Sequence, residues 1–122
     1  MTVAALEQAI TFLSRADLIA SARQTGLPVG VTEILKISSG DEAELLLAQE
    51  SSRYSRMDVL HAAQFYVQQI LFAPDSDYYR VLGVDPDDPE AKIKLHYRLL
   101  VRWLHPDKNS GDWEVVFSDR VN

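Results

Sequence analysis

Apolar residues recur at intervals of three or four positions along most of this 122-residue chain. That spacing places them on one face of an α-helix, whereas a half-buried strand would alternate apolar and polar residues. The segment from about Arg56 to Phe72 is apolar nearly all round, which is typical of a helix at the centre of a bundle. Its polar positions lack the lysines and arginines of a membrane-surface helix, the competing interpretation. No stretch has strand alternation, so the sequence predicts an all-α fold.

Short polar residues indicate where the N-terminal helices begin. Asp41 followed by Glu44, and Ser55 followed by Asp58, have the spacing at which a side-chain oxygen accepts a hydrogen bond from the third helical N–H. Two more starts are expected at Thr2 and Thr32, and ends are expected near Ser14, Gly26 and Gly40. The buried face of the first helix is expected to comprise four residues: Val3, Leu6, Ile10 and Leu13.

The segment from Ala73 to Asp77 contains a proline, a serine and two aspartates, and it separates two helical parts. We therefore expect an N-terminal helical domain at residues 1–74 and a second domain at residues 76–122. The second part opens with a short helical turn after Asp77 that Gly83 closes.

A longer helix is expected from Pro89 to about Leu104, because Asp88-Pro89 suits a helix start and the histidine before Pro106 is pushed out of the helical region. Its core face is expected to comprise Ile93, Tyr97, Leu100 and Leu104. Beside that face, Lys94, Arg98 and Arg102 repeat every four residues and form a basic stripe. A last helix is expected after Asp112, with Trp113, Phe117 and Val121 on its apolar side.

Taken in order, these residues resemble the J-domain of the DnaJ family over about residues 76–122. A lone His-Pro-Asp would be weak evidence, but here it ends a helix with this apolar face and follows a Tyr-Tyr…Leu-Gly-Val turn. The matching residues are Asp77-Tyr78-Tyr79, Leu82-Gly83-Val84, Ile93, Tyr97-Arg98, Leu100, His105-Pro106-Asp107-Lys108-Asn109, Phe117 and Asn122.

The resemblance implies an antiparallel pair of helices joined by the loop His105-Pro106-Asp107, with a short first helix packed across them. It implies binding of a DnaK-type chaperone through that loop and through Lys94, Tyr97 and Arg98, with Arg102 continuing the stripe. The chain would then be a co-chaperone that stimulates a partner's ATP hydrolysis. The family's third helix normally continues beyond Asn122, so an incomplete J-domain is expected here.

Leu95, Leu99 and Trp103 stand where the family's helix usually has basic residues, and they share a face away from the core. Exposed, they would form a costly apolar patch. We therefore expect the N-terminal bundle to pack against the J-domain helical hairpin and to cover them, with Arg56 to Phe72 as the covering helix. The N-terminal residues match no recognised family and are expected to target the complex or to hold a client.

Several functional classes are disfavoured by what the chain lacks. Without cysteine it has no thiolate chemistry, and His105 has neither a nucleophile motif nor other histidines at metal-ligand spacing, so we expect no enzyme, metal or cofactor. A formal net charge of −6 argues against a nucleic-acid binder. The chain shows no signal peptide and no run long enough to cross a membrane, so a cytoplasmic location is expected. The alternative function is a J-like interaction or scaffold protein without ATPase-stimulating activity.

Overall fold

The computed structural model describes residues 4–104. The helices in this range are α1 (Ala4–Ser14), α2 (Ile19–Arg23), α3 (Val31–Ser38), α4 (Glu42–Ser52), α5 (Arg56–Tyr66), α6 (Tyr78–Val81) and α7 (Glu90–Leu104). A 3-10 turn, Ala16–Leu18, precedes α2, and α5 continues as a π-helical segment, Val67–Leu71. No strand occurs among the described residues, which confirms the all-α prediction.

The predicted N-caps of α4 and α5 are confirmed. The N–H of Glu44 donates to Asp41 Oδ1 at 3.1 Å, and the N–H of Asp58 donates to Ser55 Oγ at 3.1 Å. Asp77 caps α6 in the same way, accepting from the N–H of Arg80 at 2.8 Å. These side chains satisfy N–H groups that the first turn of a helix leaves without a partner.

Two other helix starts differ from the prediction. Helix α3 begins at Val31, one residue before Thr32, because Gly30 takes a left-handed conformation (φ 108°) and serves as the N-cap. Helix α7 begins at Glu90, and Asp88 accepts from none of its backbone N–H groups; Asp88 Oδ2 instead accepts from the N–H of Asp85 at 2.8 Å and lies 3.3 Å from Lys92 Nζ.

The buried face of α1 also differs from the expected one. Leu13 is 47% exposed, and the buried residues of α1 are Ala5, Leu6, Ala9 and Phe12. Helix α1 packs on α5, where the Phe12 ring stacks on Tyr66 with centroids 6.0 Å apart. The prediction weighed large apolar residues only and was wrong for Leu13, while Thr2 and Val3 lie outside the described residues.

Helix α5 is at the centre of the bundle, as predicted, and packs against α1, α3 and α4. Its buried side chains, with those of the π-helical segment, join a core that continues into the second part of the chain through Val81, Leu82, Val84, Leu99 and Leu100. The division at residues 74–76 therefore stays a prediction about sequence organisation. Among residues 4–104, no helix combines the length and the hydropathy that crossing a bilayer requires.

Candidate docking surface on α7

The basic stripe of Lys94, Arg98 and Arg102 is exposed along one side of α7. Lys94 Nζ lies 3.1 Å from Glu90 Oε1, one turn earlier, so its charge is partly neutralised. Within the described residues, Arg98 and Arg102 have no carboxylate partner. The two arginines thus present net positive charge on this side of α7, and Arg102 lies in the last turn, where a cation also complements the helix dipole.

Tyr97 lies beside the stripe and is half-buried. Together with Ile93, Tyr78 and Leu82 it lines an open cavity of about 340 Å³, with Lys94 and Arg98 at the edge. The resemblance predicts that a second helix forms an antiparallel pair with α7. That helix, expected after Asp112, lies outside the described residues.

The loop residues His105, Pro106 and Asp107 follow Leu104, the last residue of α7, and also lie outside the described residues. Their position in the sequence places them directly after the stripe. How their side chains are arranged relative to Arg98 and Arg102 therefore stays a prediction.

The opposite side of α7 is attached to the N-terminal bundle, as predicted. Leu99 is only 5% exposed, Leu95 is partly buried against the core, and the Trp103 ring stacks on Phe72 with centroids 6.4 Å apart. The covering helix was identified only in part, because α7 packs chiefly on α3, and the helix from Arg56 contributes through its end at Phe72.

His96 is a second residue that attaches α7 to the N-terminal bundle, and sequence reasoning did not identify this role. Its ring is fully buried, with Nδ1 2.8 Å from Leu82 O and Nε2 2.7 Å from Thr32 Oγ1. A carbonyl can only accept, so Nδ1–H donates to Leu82 and the neutral ring accepts from the Thr32 hydroxyl. Burial lowers the pKa of His96, although the bond to Leu82 acts in the opposite direction. Its burial could have been predicted from spacing, because Leu99 and Leu100 follow it by three and four residues and so share its face of α7.

Arg80 of α6 supplies a third anchor that sequence reasoning missed. Its guanidinium donates to the carbonyls of Thr25 at 2.7 Å, Ala22 at 3.1 Å and Ile70 at 3.3 Å. The last carbonyls of a helix have no partner within it, and α2 ends at Arg23. One arginine therefore ties α6 to the end of α2 and to the π-helical segment.

Residues 77–117 match the family model of the DnaJ domain. This segment is a DnaJ domain. A protein named Chaperone protein DnaJ 1 from Streptomyces avermitilis is 55% identical over 38 residues, which cover 31% of this chain and 10% of that protein. Chaperone protein DnaJ from Lachnospira eligens is 52% identical over 43 residues, covering 35% and 12%. A J domain-containing protein from Manduca sexta is 46% identical over 42 residues, covering 34% and 25%. No solved structure matches the chain.

The chain thus spans a tenth to a quarter of the length of these relatives. The similarity is confined to the part of the chain that the DnaJ family model matches, residues 77–117. Within this domain the structure brings Lys94, Tyr97, Arg98 and Arg102 to one part of the α7 surface. The described residues hold no cluster of His, Asp or Glu side chains that could bind a metal ion.

Proposed function

We propose that the chain is a co-chaperone whose DnaJ domain binds a DnaK-type chaperone and stimulates its ATP hydrolysis. The supporting observation is the family match over residues 77–117, which includes His105-Pro106-Asp107 directly after a helix with an exposed basic stripe. The chain itself hydrolyses nothing and needs no cofactor in this proposal.

The basic stripe would make the first contact with an acidic surface of the chaperone. Exposed charges of opposite sign raise the association rate and orient the partners more than they add affinity. Asp107 and its neighbours would then bind the hydrolysis-competent arrangement of the chaperone better than its resting arrangement. Only such a difference in affinity can shift the partner's equilibrium.

The N-terminal bundle would target the complex or hold a client, and it would also orient the DnaJ domain. Arg80, His96 and Trp103 attach that domain to the bundle at separate points. A client bound by the bundle would therefore lie at a defined distance from the chaperone.

One observation favours the alternative of a scaffold without ATPase stimulation. Positions 95, 99 and 103 of α7, where the family usually has basic residues, hold Leu95, Leu99 and Trp103, and these pack against the core. Three positive charges are thus absent from the docking helix, which weakens steering toward an acidic partner.

Single-turnover ATP hydrolysis by DnaK, measured with and without the full chain, separates the two functions. The wild type should accelerate hydrolysis, and His105→Gln and Asp107→Asn should each abolish the effect. Asp87→Asn is the matched control, because Asp87 is an exposed carboxylate in the loop before α7. Circular dichroism of each variant monitors folding. If the wild type leaves the rate of DnaK unchanged, the scaffold alternative replaces this proposal.

A further inference from the structure

An open groove of about 470 Å³ lies where α1, α3 and α4 meet. Leu6, Ile37 and Ala48 form its floor, and all three are buried in the core. Leu47 of α4 stands at the wall and is 59% exposed. The floor residues are at most 5% exposed, so the apolar surface that the groove presents to solvent is mainly that of Leu47, at a junction of three helices.

The charged side chains that line the groove are all acidic. Glu33 comes from α3, and Glu44 and Glu50 come from α4. Within the described residues only Glu44 has a cation nearby, Lys36 Nζ at 3.9 Å, and neither Glu33 nor Glu50 has one. No lysine or arginine lines the groove. Carboxylates around a low-dielectric surface produce a negative potential that attracts cationic ligands.

We propose that this groove binds a basic amphipathic segment of a partner protein, with an apolar side chain against Leu47 and lysines or arginines beside Glu33 and Glu50. Leu47 supplies most of the apolar contact area, and the two unpaired carboxylates select positive flanking residues. Anionic lipid surfaces and nucleic acids carry the wrong charge for this rim. The inference rests on the N-terminal part of the proposed function and names the chemistry of its ligand.

The groove includes no residue of α6 or α7. A ligand bound there leaves Arg98 and Arg102 exposed, so the same molecule can bind the basic segment and a chaperone together. Peptide binding is also independent of ATPase stimulation, which allows each to be measured in a variant that lacks the other.

Fluorescence anisotropy of a labelled peptide of leucines and lysines at helical spacing tests the proposal on the full chain. The wild type should bind it, but not the same peptide with glutamate for lysine or serine for leucine. Leu47→Ser and the double variant Glu33→Gln/Glu50→Gln should each weaken binding by about tenfold or more.

Matched controls lie close by. Leu46 is the neighbour of Leu47 on α4 and is 57% exposed but does not line the groove, so Leu46→Ser should bind like wild type. Asp75→Asn/Asp87→Asn removes the same charge from exposed positions elsewhere and should also have no effect. Equal losses in Leu46→Ser and Leu47→Ser, or no binding by wild type, overturn the proposal.

Two further measurements test whether a second copy of the chain occupies the groove and whether peptide binding is independent of DnaK stimulation. Light scattering that shows a dimer lost in Leu47→Ser assigns the groove to a second copy of the chain and overturns the basic ligand. Leu47→Ser should keep any stimulation of DnaK, and Asp107→Asn should keep peptide binding. Loss of both activities in either variant contradicts the independence of the two surfaces.

Discussion

His96 Nε2 lies 2.7 Å from Thr32 Oγ1, so a hydrogen bond joins the DnaJ domain to α3 of the N-terminal bundle. The same ring bonds the carbonyl of Leu82 through Nδ1 at 2.8 Å. One buried side chain thus holds together α3, the turn after α6, and α7. Because His105 follows α7 directly in the sequence, these two bonds help to set where the predicted chaperone-binding loop begins.

The lowered pKa of His96 makes folding sensitive to acid. The unfolded chain has the ordinary histidine pKa of about 6.5 and takes up a proton at a higher pH than the folded chain does. The unfolded state therefore binds more protons as the pH falls below about 6.5, and the free energy of unfolding decreases. Urea unfolding at about pH 7.5 and about pH 5.5 should show this loss in wild type and a smaller loss in His96→Asn.

Thr32→Val is the matched control for the hydrogen bond, because it removes the hydroxyl and keeps a branched side chain. It should lower the free energy of unfolding at neutral pH by about 1–3 kcal/mol, since Nε2 would be buried without a donor. An acid dependence of His96→Asn equal to that of wild type would contradict the assignment.

Gly83 lies at the contact between the DnaJ domain and the bundle. Its φ is 71°, and a Cβ built on it would lie 2.7 Å from Val31 Cγ1 and 3.1 Å from Leu71 Cδ2. Gly83→Ala should therefore lower the free energy of unfolding by about 2–4 kcal/mol, through backbone strain and overpacking together.

Gly40→Ala separates the two causes in thermal and urea unfolding. Gly40 also has a positive φ, 90°, but a Cβ there meets nothing within 4 Å, so only the backbone strain of about 1–2 kcal/mol is expected. Equal losses in the two variants would show that the Gly83 site has room for a methyl group.

The Phe72–Trp103 stack can be followed by fluorescence. With Trp113→Phe in place, Trp103 is the single tryptophan of the chain and should emit at short wavelength because it packs on the core. Phe72→Ala should shift its emission to the red, and Phe72→Leu should shift it less, because leucine restores apolar contact without the ring. A Trp103 with water-like emission in the parent, or one unchanged by Phe72→Ala, would contradict this packing.

Capping and periodicity explain which features the sequence predicted. Asp41 and Ser55 cap helices through contacts three residues along the chain, and the exposed stripe on α7 follows from its four-residue spacing. Such features depend on local geometry alone. His96 and Arg80 were missed because their partners lie 64 and up to 58 residues away, and only the packing of separate helices brings them together. The same reason explains Leu13, whose exposure depends on which face of α1 packs on α5.

Tyr66 is the largest fully buried side chain, and its hydroxyl has no hydrogen-bond partner within residues 4–104. Burial raises its pKa to about 12. Tyr66→Phe removes an unsatisfied polar group and keeps the ring that stacks on Phe12, so the free energy of unfolding should rise by about 1 kcal/mol.

The gain from Tyr66→Phe should increase above about pH 10, where the unfolded tyrosine ionises before the folded one and wild type loses stability. Unfolding curves at neutral and alkaline pH measure both effects. A destabilised Tyr66→Phe at neutral pH would indicate that the hydroxyl has a partner.

The ion pair between Lys94 and Glu90 predicts that the residues of the basic stripe contribute unequally to the rate of association with DnaK. Arg98 is exposed and has no carboxylate partner among the described residues, so Arg98→Glu should slow association with DnaK strongly and affect dissociation less. Glu90→Gln should instead speed association, because it releases the charge of Lys94.

Both effects should fade at high salt, since ions screen exposed charges over about 8 Å at physiological ionic strength. Stopped-flow association rates at low and high salt measure these differences. An association rate that neither variant changes, or one that salt leaves unaffected, would remove the stripe from the docking mechanism.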